Sequence, residues 1–288
     1  MPAPDLNQRR KAEAFRALHH SDHPLLLVNV WDIASAHIVE EAGFPAVATT
    51  SAGIAFASGY PDGQKIHPDR MLATIAQIAG AVKVPVTGDV EAGYGDAPER
   101  ASRTARNIIF GGAVGMNFED ATGDSEHPLA DLSLQLERIR AIRETAKKYE
   151  LGLVLNARTD VYLLQVGDPS KRYDETVRRL SAFRDAGADC VFVPGIRDRE
   201  TIGRLVVDLS CPVNILAGPG SPSVSELAAL GVKRISLGSG PMRATLGLLR
   251  RLAEEVKLAG TYAAMESAPS HAEINALMNS TRKTQAEN

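Results

Sequence analysis

The chain has 288 residues, of which 44% are hydrophobic and 23% charged, with a formal net charge of −3 at pH 7. That mixture builds a large core, and no stretch approaches the roughly 18 apolar residues a membrane span requires. Acids and bases are interspersed, so no basic field exists for nucleic acid; the first 18 residues lack the apolar centre of a signal peptide, and a cytoplasmic location is expected.

From the N-terminus, residues 6–18 read as a preliminary helix. Apolar runs at 25–30, 46–50, 84–90, 115–120, 153–160, 190–194, 213–217 and 234–238 then alternate with amphipathic segments at 34–42, 67–82, 97–110, 132–149, 173–186, 199–209, 224–230 and 242–258. Eight strand-plus-helix units with continuously apolar strands predict a parallel sheet covered by helices, and eight is the number that closes a (β/α)8 TIM-like barrel. The domain reading is an N-terminal helix over 1–24, a barrel over 25–260 and a helical tail over 261–288. Cys190 and Cys211 each open an apolar run, lack CxxC spacing, and read as buried thiols.

The third strand stops at Gly88-Asp89-Val90-Glu91-Ala92-Gly93-Tyr94-Gly95. Strand alternation puts Asp89 and Glu91 on one side, about 7 Å apart. Two such carboxylates suit Mg²⁺, a hard cation that takes oxygen ligands and keeps several waters, and the glycines admit a close ligand. A helix cap and an ordinary turn are the bland alternative.

Active sites of such barrels lie at the C-terminal strand ends. Those ends carry Thr49-Thr50-Ser51-Ala52-Gly53, then Asn117-Phe118-Glu119-Asp120, Asn156-Ala157-Arg158-Thr159-Asp160, and Asn214. Asp89, Glu91 and Glu119 form an acidic set for Mg²⁺, with Mn²⁺ as a substitute. Arg158 is placed to clamp a carboxylate or oxyanion, and Ser51, Ala52 and Gly53 offer a hydroxyl and backbone N–H groups to a second carboxylate. Trp31, the single tryptophan, follows the first strand and walls either the pocket or the core; Tyr94 has the same two readings. The expected ligand is a small, multiply anionic carboxylic acid.

These motifs together resemble the isocitrate lyase/phosphoenolpyruvate mutase superfamily over residues 25–258. The resemblance implies Mg²⁺ chemistry on a 2-oxo or 2-hydroxy acid through an enolate-like oxyanion. By motif position Asp89 resembles the direct metal ligand, Glu91 and Glu119 the acids that hold metal-bound waters, and Arg158 the substrate arginine. Ser51, Ala52 and Gly53 resemble the carboxylate-holding segment, and Asp62 the acid on the following loop. A homotetramer with an exchanged C-terminal helix is also implied.

One loop departs from the pattern. Residues 121–128 read Ala-Thr-Gly-Asp-Ser-Glu-His-Pro, without the catalytic cysteine of the isocitrate and methylisocitrate lyases or the lysine and asparagine of the phosphonate mutases. Without cations, a travelling phosphoryl group lacks charge stabilisation. His127 is the loop's one near-neutral titrating group, read either as a replacement acid or as a solvated residue. The sequence therefore favours a Mg²⁺-dependent carbon–carbon lyase on a small di- or tricarboxylic acid, oxaloacetate-type decarboxylation being one version. The alternatives are a lyase for (methyl)isocitrate with a non-cysteine acid, a phosphonate mutase or hydrolase, a phosphate-binding barrel enzyme using the turn 217–221, and a non-catalytic 2-oxo acid binding protein.

Overall fold

The computed structural model describes residues 4–286; the outermost residues of the predicted N-terminal segment and tail, 1–3 and 287–288, lie outside the described residues. Nine parallel strands form one sheet: β1 (Leu25–Leu27), β2 (Asn29–Val30), β3 (Val47–Thr49), β4 (Val86–Asp89), β5 (Gly115–Glu119), β6 (Val154–Arg158), β7 (Cys190–Val193), β8 (Val213–Leu216) and β9 (Arg234–Ser236). The predicted first strand is two pieces, broken at Val28. One piece pairs with β9 and the other with β3, so the sheet curls into the expected barrel. Asn29 fastens this seam: its Nδ2 donates to the Thr49 carbonyl at 2.8 Å, while its Oδ1 accepts from the N–H groups of Leu237 and Gly238 at 2.9 and 2.8 Å.

Each crossover is helical because its apolar residues recur on one face. Around the barrel run α2 (Ile33–Glu41), α4 (Pro68–Ala81), α5 (Pro98–Phe110), α6 (Leu132–Lys148), α7 (Arg172–Asp185), α8 (Arg199–Leu209) and α9 (Val224–Ala229). The short α9 is held by a capping box between Ser223 and Glu226. Helix and strand approach closely at Gly88, where a Cβ would come within 2.8 Å of Ile108 Cδ1. A further helix, α3 (Ser51–Ala57), occupies the segment read from sequence as a small-residue turn. Thr50 caps it, accepting from the Gly53 N–H at 3.3 Å.

The first helix, α1 (Leu6–Leu18), starts from an Asp5 cap and buries Ala12 and Phe15 completely. Phe15 reaches the N-terminal end of β5, where a Cβ on Gly115 would approach its ring to 2.8 Å. The helix thus plugs the barrel opposite the mouth. At the other extreme, α10 (Gly240–Leu258) buries only Met242 along 19 residues and exposes Leu246, Leu249, Val256 and Leu258. The tail helix α11 (His271–Ala286) leans on α2. Cys190 is buried, Cys211 is half-buried, and both are free thiols. Among the described residues no helix is long and apolar enough to cross a membrane.

Candidate active site

A cavity of about 280 Å³ opens among the strand ends, and Ser51, Asp62, Asp89, Arg158 and Asn214 all line it. Asp89, the last residue of β4, is fixed on every side. The Ser51 N–H and hydroxyl donate to its Oδ2 at 2.9 and 2.7 Å, Asn117 Nδ2 donates to its Oδ1 at 2.9 Å, and its own N–H donates to Thr49 Oγ1 at 2.8 Å. The Ser51 donors expected to meet a ligand carboxylate are therefore committed to Asp89. Ala52 stands on the cavity wall; Gly53 stands one residue behind it, where its missing Cβ leaves room for Thr50 and the Trp31 Cβ. Trp31 thus packs against the start of α3 and is not among the lining residues.

Glu91 differs from the geometry that strand alternation gives. The strand ends at Asp89, and Glu91 is left-handed with φ +50°. Its Oε1 accepts from the Gly63 and Gln64 N–H groups at 3.1 and 2.6 Å, while Oε2 is buried without a partner. Burial pushes the Glu91 carboxyl up to about 7, with the charges of Asp89 and Asp62 adding to the effect against the amide bonds from Gln64 and Gly63. The buried Tyr94 phenol beside it is likewise raised, first by burial and then by Glu91.

Arg158 ends β6 between two acids. Its Nη1 meets Glu119 Oε2 at 2.7 Å, and its Nε and Nη2 meet the two Asp160 oxygens at 2.5 and 2.9 Å. Burial works against the guanidinium charge, and Glu119 and Asp160 more than offset it, so the group is held more firmly as a cation. The Phe192 ring lies beneath it at 5.7 Å. Asp160 is in turn positioned by Asp120, which accepts from the Asp160 N–H at 3.0 Å and from Arg179 at 3.1 Å. The carboxyl of Glu119 is raised well above its usual range, chiefly by burial, and that of Asp62 is raised by burial and then by Asp89.

Five acids, Asp62, Asp89, Glu91, Glu119 and Asp160, gather around Arg158, with an orphan oxygen on Glu91, while Arg234 and Arg243 also line the cavity. Carboxylates that outnumber the arginines suit a hard divalent cation. Among the described residues no three acids or histidines converge for direct ligation, and Asp89 alone of the predicted metal trio lines the cavity. Mg²⁺, which binds through one or two carboxylates and keeps its waters, fits such a donor set. Loop 121–130 is pinned by a bridge between Ala121 and Leu129, and the His127 side chain is 84% exposed, ion-paired only to Asp124 at 3.5 Å.

Among the lining residues that the sequence reading did not single out as candidates are Asn117, Asn156, Arg234 and Arg243. For the two asparagines the signal was present, since Asn117 shares a strand face with Glu119 and Asn156 with Arg158.

The structure is thus a parallel α/β barrel whose strand ends gather acids and a clamped arginine. The chain matches the phosphoenolpyruvate phosphomutase family over residues 15–257 and belongs to it. An uncharacterised protein of Mycobacterium tuberculosis is 35% identical over 234 residues, spanning 81% of this chain and 84% of that one. Oxaloacetate decarboxylase of Rhodopseudomonas palustris is 26% identical over 273 residues, spanning 89% and 90%. The crystal structure of a Burkholderia cenocepacia protein described as a lyase/mutase superposes with a TM-score of 0.89 at 41% identity, covering 94% of this chain and 96% of that one.

Proposed function

We propose that the chain is a Mg²⁺-dependent lyase that breaks a carbon–carbon bond in a small 2-oxo or 2-hydroxy di- or tricarboxylic acid, decarboxylation of an oxaloacetate-like acid being its simplest form. The observation that carries this reading is Arg158, held charged by Glu119 and Asp160 on the same cavity wall system as Asp89. The superfamily comprises Mg²⁺-dependent lyases and mutases. Within it, the absence of lysine and asparagine from loop 121–130 favours the lyase chemistry.

Asp89, with Glu91 and Glu119 behind it, would hold Mg²⁺, which would supply Lewis-acid polarisation of a substrate oxygen. The remaining work falls to the chain. Arg158 offers preorganised donors to the oxygen at C2 as the bond from C3 to the departing carboxylate breaks and its electron pair moves toward that oxygen. Ser51 and Asn117 keep the Asp89 carboxylate in one orientation throughout. Asp62 faces the same space and orients the substrate. With His127 in solvent, the proton that C3 gains comes from water, and decarboxylation needs no dedicated acid.

An NMR time course tests this: purified protein with Mg²⁺ against oxaloacetate, isocitrate, 2-methylisocitrate, dimethylmalate and phosphonopyruvate. Turnover of one acid that stops with EDTA and in Asp89→Ala is the expected result. Line broadening of a 2-oxo acid without product would favour a binding protein instead. We also infer that α10, with its exposed leucines, docks on a second copy in a homotetramer; a wild-type mass of one chain by light scattering would refute this.

A further inference from the structure

Beneath Arg158 and Asp89 the same cavity has a polar floor. Arg234 opens β9 at 2% exposure and lines the cavity, yet among the described residues no carboxylate stands within ion-pair distance of it. Its polar contact is His19, whose Nε2 lies 3.4 Å from Arg234 Nη1. His19 Nδ1 donates to the Phe15 carbonyl at 2.9 Å, which leaves Nε2 as a neutral acceptor. The Phe15 ring supplies a second weak contact at 5.8 Å. Arg234 Nε has no partner. A neutral imidazole and a ring face do not offset a buried guanidinium, which ordinarily demands a counter-ion.

The neighbours of Arg234 are unfinished in the same way. Asn214, its register partner on β8, accepts from Ser236 Oγ at 3.2 Å and so turns its Nδ2 away with no acceptor. Thr87 Oγ1 is also buried without a partner. From Asp89, a chain of amides runs through Asn117 to Asn156, whose Oδ1 ends it unpaired. Fixed donors on Arg234 and Asn214, in a cavity too small for a large molecule, match a carboxylate.

We propose that the cavity floor is a second carboxylate subsite, in which Arg234 supplies the charge and Asn214 Nδ2 a directed hydrogen bond to the substrate's far carboxylate. The inference rests on the reading of the upper cavity as the site for a 2-oxo or 2-hydroxy acid. It gives Arg234 a specificity role toward the second carboxylate. The register chain from Arg158 on β6 through Phe192 and Asn214 to Arg234 on β9 sets the two cationic ends of the site on one row of the sheet, three strands apart.

Calorimetric binding of malate and lactate to the full chain with Mg²⁺ tests the subsite without turnover, since the two acids differ only in the second carboxylate. Malate should bind roughly 10- to 100-fold tighter, the span of a charge-assisted hydrogen bond. Arg234→Met and, independently, Asn214→Asp, which sets an acid beside Arg234, should each abolish that preference and leave lactate affinity unchanged. Arg234→Met should melt at the same or a higher temperature, because it removes an uncompensated buried charge. Equal affinity of the two acids, no measurable binding of malate, or a preference that survives both variants would overturn the subsite. Failure of every acid to turn over, with the Arg234-dependent preference intact, would instead remove the lyase reading and leave the subsite standing.

Discussion

Two arginines enter the barrel interior on one register row of the sheet, and the protein treats them in opposite ways. Arg158 is enclosed by Glu119 and Asp160 at 2.7 and 2.5 Å; Arg234 has a neutral histidine at 3.4 Å and no acid. A cation paired within the fold has its position set before any ligand arrives, which is what a group stabilising a transition state requires. A buried cation left open is stable only in company that the chain does not provide.

The largest expected effect comes from removing the closed arginine. Arg158→Ala should lower kcat/KM at least a hundredfold, roughly 3 kcal/mol of transition-state stabilisation. It should also lower the melting temperature, because Glu119 and Asp160 are then buried without a partner. Steady-state kinetics with a melting curve checks both; full turnover would show that Arg158 is only structural.

A smaller effect is expected beneath the open arginine. Burial first, and then the Arg234 charge, lowers the His19 pKa from 6.5 to about 3. The folded state thus binds fewer protons than the unfolded chain between those two values. The stabilisation is complete above pH 6.5 and is lost as pH falls toward 3. By pH 5 the loss is about 2 kcal/mol. Urea unfolding of wild type and His19→Gln at pH 7 and pH 5 measures it; identical pH dependence in both proteins would exclude His19 as the source. The smallest change concerns the ring under Arg158. Phe192→Leu removes a cation–π contact of about 0.5–1 kcal/mol and should change KM two- to fivefold with little change in kcat.

Most of the architecture was legible, because each continuous apolar run fits only a strand covered on both faces and each periodic segment fits only its covering helix. Strand ends at Asp89, Glu119 and Arg158 were therefore placed correctly at the mouth. Short-range geometry was less legible. α3 is only seven residues, Ser51–Ala57, too short to carry a period. The left-handed turn at Glu91 depends on amides of Gly63 and Gln64, which only the fold brings near. Asp160 was quoted at a strand end, yet its grip on Arg158 depends on Asp120 and Arg179. Arg234 passed unnoticed because, within Val232-Lys233-Arg234-Ile235-Ser236, nothing local distinguishes an inward arginine from an outward one.

The seam at Asn29 bears on how the molecule is made. That side chain joins backbone on β3 to the backbone of Leu237 and Gly238, which lie 208 and 209 residues beyond Asn29 itself. During synthesis the first strand emerges early and must wait for β9 before its outer edge is covered. Until then the nascent barrel is an open, curved sheet with an unpaired border, the state most exposed to wrong partners on the ribosome. Closure is a long-range event and so a slow one. Residues 234–238, which finish the cavity floor, are also those whose arrival ends that exposure.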